Sequence, residues 1–220
     1  MPLVDYGSSS DEDNEDVSKV HAKPIKLSSE LFDIVTALTK RAQETVPETT
    51  SMLHSLKSSK GEVKVAEHAD DAVELHVSLS RPLYLQELHL GRFTSDVKEA
   101  FKNKRRFNMS FSGIQRFANE ENTRSFLSLR VGSGHAEVEN LLTEMDSIAE
   151  RYSQPKFYDH PQFHASFAWA LGGDTLDESL VNILDDLDST LLQDLRRCSV
   201  MVRRVSWKTG PTLGSVEFSQ

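Results

Sequence analysis

Apolar and polar residues alternate most cleanly at two places in this 220-residue chain. Residues 75–80 read Leu75-His76-Val77-Ser78-Leu79-Ser80, and residues 163–167 read Phe163-His164-Ala165-Ser166-Phe167. A period of two is the mark of a strand, whose successive side chains point to opposite faces. The pattern predicts strands over 73–80 and 163–171, the first ending at Pro82 and the second at Gly172-Gly173. On each strand the histidine and the serine two residues later share one face. Val77 and Leu79, and likewise Phe163, Ala165, Phe167 and Trp169, belong to the other.

Helical spacing governs four other stretches. Leu31, Ile34, Val35, Leu38 and Ala42 predict a helix over 29–44, with Ser28 or Ser29 as its N-cap. Val138, Leu141, Leu142, Met145 and Ile148 predict another over 135–152, and two more are expected over 94–105 and 176–195. Extended segments are expected over 20–26, 107–111, 113–117, 124–131, 199–207 and 213–219, with turns at 119–122 and 209–211 and a polar loop over 57–71. The order is helix, motif strand, helix, strands, then the same again. It predicts an α+β protein of two pseudo-symmetric lobes, each an antiparallel sheet with flanking helices, around a central cleft. Residues 1–18 read as a disordered acidic tail and 19–220 as a single bilobal domain.

Composition narrows the setting. With 38% hydrophobic residues the chain can bury one substantial core. No apolar run approaches the ~20 residues of a membrane span, and the opening residues lack the basic start and apolar core of a secretory signal. The single cysteine, Cys198, forms no internal disulfide, and no Cys/His zinc spacing occurs, so a reducing compartment is expected. The net charge of −9 argues at first against a nucleic-acid partner. Residues 1–22, however, hold six acids and one base, so −5 of that charge lies in those residues. Ser8, Ser9 and Ser10 precede those acids and are either phosphorylation candidates or part of a plain solvated tail.

Two imidazoles facing one cleft can deprotonate one oxygen and protonate another near neutral pH, because free histidine titrates near ~6.5. That is the chemistry of cutting a phosphodiester. Two histidines fall short of the three or four ligands of a zinc site.

The paired motifs His76-Val77-Ser78-Leu79 and His164-Ala165-Ser166-Phe167 resemble those of the two-histidine (2H) phosphoesterase superfamily. Three neighbouring stretches narrow the resemblance: Asn122 to Leu127, Gly134-His135, and Phe157 to Trp169. They are similar to the family of phosphodiesterases that trim the 3′ end of U6 spliceosomal small nuclear RNA, as is the opening Leu3 to Ser10. Arg81-Pro82 and the sparsely apolar segment 20–26 depart from that pattern. The resemblance implies a nuclear, monomeric 3′-to-5′ exoribonuclease acting on single-stranded RNA ends, with no metal, cofactor or membrane. It implies His164 as general base and His76 as general acid, although the sequence alone leaves that direction open. Ser78 and Ser166 would donate to the non-bridging phosphate oxygens. Tyr158 would stack on the terminal base, or else pack at a loop edge.

Other residues stay open at this stage. Lys98, Lys102, Lys104, Arg105 and Arg106 form a basic run that steers RNA or is simply a solvated face. Arg196, Arg197, Arg203 and Arg204 pose the same choice. His135 reads as structural, His54, His68, His89 and His160 carry no assigned role, and Trp169 and Trp207 read as packing. Two alternatives to the U6 reading remain: a cyclic phosphodiesterase for other RNA ends, and a non-catalytic RNA-binding splicing module.

Overall fold

The computed structural model describes residues 17–25, 27–53, 75–187, 189–209 and 212–220. The acidic tail through residue 16, with its three serines, and the polar loop over 57–71 lie outside the described residues, as do the first two residues of the expected strand 73–80.

Ten strands and five helices are found among the described residues. The strands form two five-stranded sheets, and every strand pair is antiparallel. The first sheet joins β1 (Val17–Ile25), β3 (Leu75–Ser78), β4 (Leu83–Tyr84), β9 (Arg204–Thr209) and β10 (Thr212–Glu217), in the order β10-β9-β1-β3 with β4 also paired to β1. The second joins β2 (Thr50–Ser51), β5 (Phe107–Ala118), β6 (Arg124–Val131), β7 (His164–Leu171) and β8 (Ser199–Val202), in the order β2-β7-β6-β5-β8. The first sheet thus draws on both ends of the chain and the second mostly on its middle. The motif strands β3 and β7 fall in different sheets and lie against each other.

The helices are α1 (Ser29–Thr45), α2 (Glu87–Phe101), α3 (His135–Arg151), α4 (Glu178–Leu187) and α5 (Ser189–Arg197). Helix α1 starts where expected: the Ser28 hydroxyl accepts from the Leu31 amide at 3.2 Å. Its apolar stripe is buried, as is that of α3. Helices α1, α4 and α5 pack on the second sheet, while α2 contacts α3 and β10. Before α3, Gly134 has φ +84°, and a Cβ there would lie 2.9 Å from the Asn108 carbonyl oxygen. Glycine is therefore required at that entry by both conformation and space.

Several boundaries move. Strand β1 begins at Val17, inside the expected tail. Helix α2 starts at Glu87, seven residues before the expected Thr94; its first turn and a half leaves Glu87, Leu88, Gly91 and Arg92 exposed, and its buried face of Phe93, Val97 and Phe101 begins only near the expected start. The two extended pieces over 107–117 are one strand with a bulge between Phe111 and Gly113. The expected helix over 176–195 is two helices flanking residue 188, and the stretch 199–207 is two strands, β8 and β9.

One contiguous core unites both sheets. Leu75, Val77, Leu79 and Trp207 from the first side meet Leu127, Leu129, Ala165 and Phe167 from the second. Trp207 is 1% exposed, and its cross-strand partner is Gly214. A Cβ on Gly214 would fall 2.3 Å from the indole ring, so the indole occupies the space that a side chain there would fill. We expect Gly214→Ala to destabilise the fold by about 2 kcal/mol through overpacking. Urea unfolding monitored by tryptophan fluorescence reads this directly, and an unchanged midpoint would show that β10 shifts without cost.

Candidate active site

Strand β3 alternates as its sequence demands: Leu75 and Val77 are buried, and His76 and Ser78 are half-buried on the opposite face. Strand β7 differs, being buried on both faces up to Ala168. His164 is only 6% exposed and Ser166 5%. The second motif is therefore enclosed, while the first keeps contact with water.

The register of β6 against β7 explains what shares the His164 face. Arg130 pairs with His164, Ser128 with Ser166, Leu127 with Ala168 and Phe126 with Trp169. Phe167 is thus an extra residue, a bulge that leaves both Phe167 and Ala168 turned to the core. After it the alternation is inverted, so Trp169 stands on the same face as His164 and Ser166. This corrects the sequence expectation, which carried strict alternation through Phe167 and put Trp169 on the far side. Trp169 there joins Phe117, Phe126 and Tyr158 in a small aromatic cluster, with the Arg124 guanidinium 4.7 Å from its ring centre.

His164 is held from two directions. The Phe117 ring stacks on it with centroids 3.8 Å apart and planes inclined by 27°. Its Nδ1 lies 2.5 Å from the Gln162 carbonyl oxygen. A carbonyl only accepts, so Nδ1 carries the hydrogen and Nε2 is the proton-accepting nitrogen of the neutral ring. The Gln162 side chain is fixed in turn by a hydrogen bond from Gln115 Nε2. Burial pushes the His164 pKa down to about 4, and the hydrogen bond to Gln162 offsets this only in part. At neutral pH His164 is an uncharged base.

The Ser166 hydroxyl meets the Ser128 hydroxyl at 2.8 Å. Ser128 was not singled out in the sequence, although it lies in step with Phe126 and Arg130 on an alternating strand.

Tyr158 lies in the segment between α3 and β7. Its hydroxyl donates to Glu120 Oε1 at 3.1 Å. The Arg81 guanidinium sits 3.9 Å from its ring centre and 3.8 Å from the same Glu120 oxygen. Arg81, which departs from the family pattern, thereby ties the turn after β3 to the β5–β6 turn and to the segment before β7. A cation over a tyrosine ring contributes about 0.5–2 kcal/mol, depending on its desolvation. Glu120 carries no signal in the sequence and Arg81 only that of an unexpected neighbour to Pro82, because their proximity exists only after folding.

Much of the basic run is engaged elsewhere: Lys102 pairs with Glu99 at 2.7 Å, Lys104 with Glu144 at 2.8 Å, and Arg106 donates to the Phe218 carbonyl at 3.3 Å. Arg197 pairs with Asp194 and Arg204 with Glu217. His135 packs edge-on against Phe163. Trp207 is core, as expected. Among the described residues no group of three or more His, Cys, Asp or Glu side chains could hold a metal ion, and no described helix is long and apolar enough to cross a membrane.

The buried neutral imidazole gives stability a definite pH dependence. Between pH 6.5 and about 4 the unfolded chain takes up a proton at His164 that the folded chain refuses. This contribution therefore falls as pH drops through that window, by about 3 kcal/mol in total, and is flat above it. Urea midpoints from pH 4 to 8 check this; we expect the acid loss to shrink in His164→Gln, and an equal loss in both proteins would refute it.

Comparison with known proteins bears on the family and the fold. A family model described as "HVSL: Uncharacterised conserved protein" matches residues 24–217. U6 snRNA phosphodiesterase 1 of Mus musculus is 29% identical over 194 residues, covering 85% of this chain and 63% of the mouse protein. The Homo sapiens protein of the same name is 30% identical over 149 residues, covering 68% of this chain and 49% of the human one. The chain thus spans less than two thirds of these curated relatives. In fold it is similar to the solved structure of Usb1 from Kluyveromyces marxianus, with a TM-score of 0.64 at 18% identity, covering 92% of this chain and 98% of that one. A family match over nearly the whole chain encloses both His-x-Ser sets, the first of which reads His76-Val77-Ser78-Leu79: this chain belongs to the HVSL family.

Proposed function

We propose that this chain is a metal-independent 3′-to-5′ exoribonuclease that trims the oligouridine 3′ end of U6 small nuclear RNA. The observation that carries the reading is the pair of His-x-Ser strands, lying against each other, with one imidazole buried and neutral. The names of the curated relatives support the substrate. So does a structure of the Kluyveromyces marxianus Usb1 with uridine monophosphate, which this chain matches with a TM-score of 0.61 at 19% identity.

His164 Nε2 takes the proton from the ribose 2′-hydroxyl on the 5′ side of the scissile phosphate. O2′ attacks phosphorus, the P–O5′ bond breaks, and His76 delivers a proton to the departing 5′ oxygen. The retained RNA ends in a 2′,3′-cyclic phosphate. If water then opens that ring, the two histidines exchange roles. Buried His164 suits the base, because it enters the reaction uncharged; His76, half-buried, suits the acid. Ser78 and Ser166 donate to the non-bridging oxygens, with Ser128 donating to Ser166 to orient its hydroxyl. The terminal base stacks on the platform that Tyr158 and Arg81 form together. The catalytic unit is one bilobal domain over 19–220, acts as a monomer, and works in the nucleus, the place its spliceosomal substrate implies.

The test uses a 5′-labelled RNA ending in uridines with a free 2′,3′-diol, in excess EDTA. Stepwise loss of uridines is expected, and His76→Ala or His164→Ala should each lower the rate ~10²–10⁴-fold. Retained trimming by either variant overturns the two-histidine mechanism. RNA binding without any new 3′ end would overturn the exoribonuclease reading and leave a cyclic phosphodiesterase for other RNA ends or a binding module.

A further inference from the structure

We propose that Arg130 and Arg196 form a phosphate subsite for the retained RNA strand, on the 5′ side of the scissile phosphate. The proposal rests on the exoribonuclease reading for its substrate and on the following geometry for its place.

Arg130 is the cross-strand partner of His164, and its exposed side chain rises from the same face of the second sheet. The bulge in β5 sets Ser112 beside it. Arg130 Nε donates to the Ser112 hydroxyl at 3.0 Å, and Arg196 Nε, from the last turn of α5, donates to the Ser112 carbonyl at 3.1 Å. One serine thus gathers two guanidiniums from separate elements. Each is pinned by Nε, which leaves its terminal amino groups to face outward. A Cβ built on Gly113, its cross-strand partner, would lie 3.7 Å from Arg130 Nη2, so the guanidinium leans across the neighbouring strand β5.

Neither arginine makes an ion pair among the described residues. The carboxylate on α5 nearest in sequence, Asp194, pairs with Arg197 instead. Two like charges fixed around one residue repel, and an anion between them turns that repulsion into attraction. The chain as a whole carries −9, so a local pair of guanidiniums without an ion-pair partner among the described residues stands out against its field. Arginine's planar fork suits phosphate oxygens.

The direction of the reaction says which phosphate. The ribose that yields its 2′-proton to His164 belongs to the retained strand. The departing nucleotide lies toward His76, whose strand runs on into Arg81 and the Tyr158 platform. The next phosphate upstream therefore lies on the His164 side, where Arg130 is the adjacent residue.

Two measurements test this. In the first, kcat/KM is compared for a 5′-phosphorylated oligouridine and for the dinucleotide UpU, which has no upstream phosphate. Arg130→Ala/Arg196→Ala should lower the oligomer-to-UpU ratio about tenfold. In the second, the Kd of a 2′-O-methyl oligouridine, which lacks the attacking hydroxyl, is followed against salt. The double variant should make the logarithmic salt slope shallower by about 1. Arg130→Lys/Arg196→Lys should keep the slope while losing part of the ratio. An unchanged ratio and slope in the alanine variant overturns the subsite. If the wild type fails to shorten any RNA, the exoribonuclease reading falls, and the salt titration still decides whether these arginines hold a phosphate.

Discussion

For Nδ1 of His164 to reach the Gln162 carbonyl at 2.5 Å, the chain entering β7 must turn that carbonyl back toward the ring of the residue two places on. Much of the site's geometry is organised around that contact. It selects the tautomer, directing Nε2 away from the backbone. It fixes the ring plane so that Phe117 can stack on it. Stacking and burial then remove the water that would otherwise stabilise a charged imidazole. From β5, two strands away, Gln115 donates to the Gln162 side-chain oxygen and so helps hold the residue that carries the carbonyl. Exposed to solvent, the same histidine would ionise near pH 6.5 and be partly protonated before any substrate arrived.

The second constraint is the pair of bulges. A sheet built on strict alternation would place Trp169 in the core and would not turn Ser112 toward two arginines. The extra residue at Phe167 inverts the parity of β7, so the serine–histidine half of the strand and its aromatic half share one surface. The extra residue at Ser112 does the corresponding work in β5, at the opposite end of that surface. Bulges of this kind re-aim side chains next to functional sites. Here they convert a face of alternating chemistry into an ordered sequence: guanidinium, imidazole, hydroxyl, aromatic ring.

These constraints separate what was legible in the sequence from what was not. The motif strands, the α1 cap at Ser28 and the stripe of α3 rest on local periodicity and were readable. The shared face of His76 and Ser78, and of His164 and Ser166, follows from a period of two alone. The inversion at Phe167 was not readable, because a bulge is decided by the register of β6 against β7, and no residue in Phe163 to Trp169 announces it. The start of α2 is not legible because its first turns bury no residue fully, and the apolar face begins at Phe93. Arg81, Glu120 and Tyr158 are far apart in sequence and meet only through the fold. Arg81-Pro82 stood out as a departure from the family pattern, and the structure gives that departure a place against Tyr158. The basic run from Lys98 to Arg106 looked stronger in sequence than it is in space, since two of its lysines are paired with carboxylates.

The arrangement also bears on why such a site would act at an end rather than within a strand. Arg81, Glu120 and Tyr158 join three separate segments at the aromatic end of the surface, through a cation–ring contact, an ion pair and a hydroxyl donor. A chain passing that point would have to break all three contacts at once, whereas a single terminal base needs only one face of the platform. At the other end the surface is bounded by exposed guanidiniums, held through Nε, that an RNA backbone can cross. A cleft closed on the leaving-group side and open on the retained side admits a terminus and holds one nucleotide beyond the scissile bond. On the proposed reading, exonucleolytic action then follows from the shape and charge of the ends of the site, while the two histidines supply chemistry that is itself indifferent to position along the RNA.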